Sequence, residues 1–197
     1  YAAEYKKDRN ATGEKYKGKV IELTGVVEGY GKNSSGEVQV LIRVKGELLG
    51  VICFTQDKNP WNSVEPGQTV TIRGTYPPIA VTAALVECVI IGATGPKGTS
   101  FQATELGKQY DTNAEALQTK YKNQWVFLTG TVTSKKVQDG GVRVYFKSDS
   151  KVKVVASFTP SDKADADKIQ VGQEVRVIGE FNDLFSDEGE VTLGMCL

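Results

Sequence analysis

"YKGKVIELTG" at residues 16–25 and "YKNQWVFLTG" at residues 121–130 are one phrase written twice, 105 positions apart. Outward from it, the same offset pairs Tyr5 with Tyr110, Ala11 with Ala116, Tyr16 with Tyr121 and Leu23-Thr24-Gly25 with Leu128-Thr129-Gly130. Further along it pairs Gly67-Gln68 with Gly172-Gln173, Val70 with Val175 and Gly74 with Gly179. A one-residue gap lays "VICF" (51–54) on "VASF" (155–158), and Cys88 and Cys196 fall at equivalent ends. So ordered a set of matches means one domain type used twice. The sequence divides into a first domain at 1–91, a linker at 92–100 and a second domain at 101–197. The linker, "GATGPKGTS", is rich in residues that favour neither helix nor strand.

Each half carries the same order of elements. Tyr110 and Tyr121 lie about three helical turns apart and share a face of a lead-in helix. Within it, Thr112 and Glu115 have capping-box spacing and predict a start or restart. "DRNATGEKYKG", the counterpart in the first half, is a weaker helix because of Gly13. A long strand follows, 18–30 and 124–135, with Gly25 and Gly130 inside it. Glycine weakens a strand, so its place there predicts a bulge or sharp bend where one strand serves two sheets. "EVQVLIRVK" (37–45) alternates, with Val38, Val40, Ile42 and Val44 on one face, and "LLGVICF" (48–54) returns as its hairpin partner. In the second half "GVRVYFK" (141–147) and "KVKVVASF" (151–158) repeat the pattern, with Val142, Val144 and Phe146 inward. "SDKADADKIQ" (161–170) predicts a helix capped by Ser161, whereas Pro60 and Pro66 limit the counterpart to a short turn. Two more strands close each half.

Strand–strand–strand–helix–strand–strand with a bent first strand is the order of the OB-fold, a five-stranded Greek-key barrel. The fold class is therefore all-β, with two tandem barrels, each preceded by a short α-helix. The pattern Y-K-G-K, V-x-L-T-G-x-V, V-x-C-F, P-G-Q-x-V-x-I-x-G and L-x-x-C resembles the tRNA_anti-like family of small OB-fold domains. Both halves carry the resemblance, and the second departs from it at Ser157 and at Met195-Cys196. It implies a binding scaffold, in a family whose members are often envelope-associated bacterial proteins. The sequence opens at Tyr1 without an initiator Met, which fits removal of a signal or lipid-anchor segment, or a trimmed chain. An extracytoplasmic or cell-envelope setting, periplasmic or secreted, is the corresponding expectation.

Composition narrows the chemistry. Charged residues make up 24% of the chain, with 24 basic against 24 acidic side chains. Residues 1–100 carry 12 basic and 10 acidic, and residues 101–197 carry 12 and 14. Neither half has the basic excess of a nonspecific nucleic-acid binder. There is no His, which removes the commonest general base and metal ligand. Three cysteines so widely spaced make no zinc site. "SDKADADK" has three Asp but lacks the Gly and closing Glu of a calcium loop, and "FSDEG" (185–189) is a second short acidic stretch. The sequence thus predicts no enzyme, no metal site and no cofactor. No apolar run approaches the roughly 20 residues that span a bilayer.

OB barrels that hold single strands use the outer face of their second and third strands, with aromatics for stacking and cations for phosphates. On the alternation above, Arg143, Tyr145, Lys147, Lys151 and Lys153 face outward in the second barrel, and Arg43 does so in the poorer face of the first. The same pattern fits a plain solvated strand face, where Lys guards against edge pairing. Cys53 and Cys88 lie at the ends of strands that can be neighbours. They are either a disulfide or two buried thiols, and Ser157 in place of Cys53 would keep the second barrel from copying the bond. The expected function is a non-enzymatic adaptor binding protein, glycan or itself, with single-stranded nucleic acid as the alternative partner.

Overall fold

The computed structural model describes residues 2–33, 35–46, 50–78, 83–182 and 189–197. Leu48 and Leu49 of the expected third strand, and Phe185–Glu188 of the second acidic stretch, lie outside them. By internal contact the chain forms two compact units, Tyr1–Lys97 and Gly98–Leu197. The first runs α1 (Ala2–Lys7), α2 (Arg9–Tyr16), β1 (Val20–Lys32), β2 (Val38–Arg43), β3 (Gly50–Thr55), a 3-10 turn at Pro60–Asn62, β4 (Thr69–Thr75) and β5 (Ala84–Thr94). Its five strands close into a barrel in the order β1-β2-β3-β5-β4. The second runs β6 (Ser100–Gln102), α3 (Ala103–Tyr121), β7 (Trp125–Gln138), β8 (Gly141–Phe146), β9 (Lys153–Phe158), a 3-10 turn at Pro160–Asp162, α4 (Lys163–Lys168), β10 (Glu174–Phe181) and β11 (Glu190–Gly194). Its sheet order is β10-β11-β9-β8-β7-β6, and a β10–β7 pairing returns it on itself as in the first unit. No helix among the described residues is long and apolar enough to cross a membrane.

The twice-written phrase is the hinge of each barrel. β1 pairs with β4 over Val20–Val26 and hands over to β2 from Val26 onward. β7 pairs with β10 over Trp125–Thr131 and with β8 from Val132. Gly25 and Gly130 stand at these handovers. A Cβ on Gly25 would lie 2.5 Å from the Arg43 carbonyl oxygen, and one on Gly130 would lie 2.7 Å from the Ala103 Cβ. Close approach, not turn geometry, requires glycine here. Alternation then fills the barrels. Ile21, Leu23, Val40, Ile42, Val51, Cys53, Val70, Ile72 and Leu85 are buried in the first. In the second, Leu128, Val142, Val144, Phe146, Val154, Ala156, Phe158, Val191 and Leu193 form one cluster. Leu23 and Leu128, matched in the repeated phrase, are both among these buried residues.

The lead-in helices break at matching places. Asp8 caps α2, its side chain accepting from the Ala11 N–H at 2.9 Å. Asn113 is a non-helical residue inside α3, and its Oδ1 accepts from the Ala116 N–H at 3.0 Å. The restart expected from Thr112 and Glu115 is thus real but is capped one residue later. Thr112 instead donates its hydroxyl back to the Lys108 carbonyl. The Ser161 cap is also displaced. A 3-10 turn takes Pro160–Asp162, and buried Asp162, bonded by the Thr159 and Ser161 hydroxyls, stands at the α4 cap position. The Gly/Pro/Ser/Thr segment is shorter as a connection than its composition implies. Gly92, Ala93 and Thr94 pair with Thr71, Val70 and Thr69, and β6 begins at Ser100.

The cysteine register needs correction. Cys53 is inward opposite Val40, and the residue in that place in the second barrel is Ala156 opposite Val144, not Ser157. The parallel ladder agrees, with Cys53 beside Leu85 and Ala156 beside Leu193. Matching four-letter strings allows a one-residue slip, which in a strand exchanges the two faces. Cys88 and Cys196 do correspond, since a Cβ on Gly74 or Gly179 would meet their sulfurs at 2.5 and 2.6 Å. Cys53 and Cys88 are brought together as hydrogen-bonded, buried free thiols. That bond, and then burial, push the Cys53 thiol well up, while burial raises Cys196. Thiols that stay protonated and covered are inert. Maleimide is expected to label none of the three in the reduced native protein within minutes, and all three in denaturant. Rapid native labelling at Cys53 or Cys88 would contradict this packing.

Candidate functional site

The hairpin of β8 and β9 supplies most of the expected site residues, and the structure sorts them into two groups. Arg143 is 5% exposed, so its expected outward, ligand-facing role is corrected. Its Nη2 donates to Glu190 Oε2 at 2.5 Å, and Glu190 is itself 3% exposed. Val155 and Thr192, off the barrel cluster, are also buried. Alternation assigns Arg143 to the right side of the strand, but that side is not open to water at this level of the sheet. Arg143 keeps an indirect part, since its guanidinium carbon lies 5.9 Å from the Tyr145 ring centroid.

Tyr145, Lys151 and Lys153 are brought together. With Thr133, Ser134, Ser148 and Ser150 they line a cleft of about 360 Å³ between the bend of β7 and the β8–β9 loop. Lys151 and Lys153 side chains are 85% and 65% exposed. Each holds a loose ion pair, Lys151 with Asp111 at 3.5 Å and Lys153 with Glu190 at 3.6 Å. The Lys151 pair, open to water, contributes little and is readily exchanged for a ligand anion, whereas the Lys153 ammonium stands exposed over the buried Glu190 carboxylate. Lys147 is exposed next to this loop, with its backbone N–H bonded to the Thr131 carbonyl. Arg43 is exposed on β2 of the other unit, paired with Glu28.

Helix α3 braces the β8–β9 loop that lines the cleft. Gly107 lies so close to the loop that a Cβ would sit 2.3 Å from Ser148 Oγ. Lys108 pairs with Asp149 at 3.4 Å, and with the Lys151–Asp111 pair this ties the loop to the helix at two points. Ser148 and Ser150 hydroxyls lie 3.1 Å apart, and Ser150 Oγ accepts from the Val152 N–H at 3.2 Å. The Thr133 hydroxyl donates to the Tyr145 carbonyl at 3.1 Å. Sequence reasoning missed these hydroxyls and Gly107. The Ser-Asp-Ser run at 148–150 was the available signal for a polar loop, but nothing local tied it to Thr133 or to α3. The result is a shallow cleft with one half-buried phenol, two exposed ammonium groups and several hydroxyls. It can stack a planar group and bind oxyanions.

Solved structures similar to the chain include a murine DNA-binding protein bound to double-stranded DNA, at 10% identity and a TM-score of 0.32, covering 90% of this chain and 96% of that one. A single-stranded DNA-binding protein of Thermus aquaticus is 12% identical with a TM-score of 0.26, covering 90% of each chain. Fission yeast Pot1 with single-stranded DNA is 10% identical with a TM-score of 0.28, covering 90% of this chain and 79% of that one. At these scores the likenesses carry no argument about function. No curated protein matches the sequence. The tRNA_anti-like family model matches the chain twice, over residues 1–90 and 91–196, and the chain belongs to that family as a tandem of two copies.

Proposed function

We propose that this protein is a non-enzymatic binding protein whose second OB-fold domain takes single-stranded nucleic acid at the Tyr145 cleft. The observation that carries the reading is the convergence of Tyr145 with Lys151 and Lys153 on one hydroxyl-lined cleft of the β8–β9 hairpin. A base stacks on the Tyr145 ring while Lys147, Lys151 and Lys153 contact phosphates, the combination that single-strand binders use. Balanced overall charge makes the binding local and modest instead of a long-range field effect.

Fluorescence anisotropy of labelled mixed-sequence DNA and RNA single strands, titrated with the full chain at several salt concentrations, tests it. Three lysine contacts predict a slope of log K against log salt of about −2. Tyr145→Ala is expected to weaken binding about 5- to 100-fold, the usual range for loss of one stacking platform. Lys151→Ala with Lys153→Ala flattens the slope. Absence of binding at low salt, or binding untouched by these substitutions, overturns the proposal.

A further inference from the structure

Cys53 and Cys88 meet across the parallel ladder of β3 with β5. Cys53 stands beside Leu85, and Thr55 beside Cys88, so β5 spends one more residue than β3 between the two pairs. Glu87 takes up the step in the left-handed region, at φ +53°. The step returns Cys88 to the interior, where both cysteines are buried and their thiols are hydrogen-bonded to each other. Gly74 on β4 makes room for the Cys88 sulfur, since a Cβ there would lie 2.5 Å from it. The second barrel builds the same place with a single sulfur. Met195 makes the left-handed step at φ +49°, Cys196 turns inward against Gly179, and Ala156 stands where Cys53 does. Ala156 is fully buried there, so packing at this position is met by a methyl group and does not call for a second thiol.

We propose that Cys53 and Cys88 are joined as a disulfide when the chain folds in the presence of a small-molecule disulfide oxidant, clipping β5 to β3 in the first barrel only. Two S–H bonds break and one S–S bond forms. The two electrons and two protons pass to the oxidant, whose own disulfide becomes two thiols. Bridging without backbone movement requires neighbouring strands whose side chains point at each other, and two thiols in hydrogen-bond contact on adjacent strands stand close to that condition. Exchange takes place before the barrel closes, because the folded domain covers both sulfurs. The bond closes a loop over residues 54–87, which contains all of β4, and so restricts the unfolded first domain. It persists where the surroundings are oxidising.

Refolding of the reduced full chain in a buffer of oxidised and reduced glutathione, followed by an acid quench, blocking of free thiols and intact mass, reads the result directly. One internal disulfide is expected, with Cys53 and Cys88 linked in the peptide map and Cys196 blocked. In denaturant, the first domain of the oxidised chain unfolds at a higher midpoint than that of the reduced chain, and the second domain does not shift. Cys53→Ala, which installs the residue that the second barrel carries at this place, removes both the bond and the shift. Cys196→Ala keeps both. The proposal is overturned by three cysteines left free or capped by glutathione, or by a bond that includes Cys196. It is overturned equally by a first domain no more stable oxidised than reduced.

Discussion

Replacing Arg143 with Ala is expected to lower the unfolding free energy of the second domain by about 3–5 kcal/mol. The substitution removes one half of a buried ion pair and strands Glu190, which is 3% exposed, without its closest cation. Lys153 stands 3.6 Å from the other Glu190 oxygen and offsets part of the loss. Equilibrium denaturation with a probe in the second domain measures it, since two domains need not unfold in one step. A companion variant separates the pair from its charge. Arg143→Met with Glu190→Leu is expected to recover most of the lost stability, because a well-packed apolar pair avoids the desolvation cost of two buried ions. A loss below about 1 kcal/mol in the single variant would place Arg143 on an ordinary solvated surface.

Gly25→Ala is expected to destabilise the first domain by about 3 kcal/mol or more, at the upper end of overpacking costs. The new methyl would lie 2.5 Å from the Arg43 carbonyl oxygen and 2.6 Å from Ile42 Cγ2. The first of these contacts is backbone, so relief requires opening the β1–β2 crossing. Gly130→Ala, at the matching place, meets the Ala103 Cβ at 2.7 Å and Phe146 at 3.1 Å. The Ala103 methyl is fixed to the backbone, so relief means moving the first turn of α3. That turn is not part of the β7 ladder with β8 or β10, and the cost is expected to be smaller. Gly92→Ala, with open space around it, serves as the neutral reference. Thermal melts of the three variants should rank in that order, and a Gly25→Ala melt equal to that of Gly92→Ala would remove the close-approach account.

The sequence by itself determined what depends on local periodicity and on repetition. Inward residues recur at period two, turn residues punctuate them, and a phrase written twice reports one module used twice. Gly25 and Gly130 were legible as the place where one strand serves two sheets, although the ladder irregularities fall just after them, at Val27–Gly29 and Val132–Ser134. Even the cap at Asn113 was off by only one residue.

Only the tertiary structure decided which strand faces meet water. Period two places Arg143 and Tyr145 on one side of β8, yet it is silent on what lies over that side. One became half of a buried ion pair with Glu190, 47 positions later, and the other the wall of a cleft. The same limit explains the slip at Cys53. Short strings align equally well in either register, and only the Val40 and Val144 ladders show that Ala156 is its counterpart. The cleft itself joins β7 and the β8–β9 hairpin, and the loop's seat on α3 depends on Gly107 having no side chain. Periodicity acts between neighbours in the chain, whereas burial, charge pairing and concavity depend on neighbours in space.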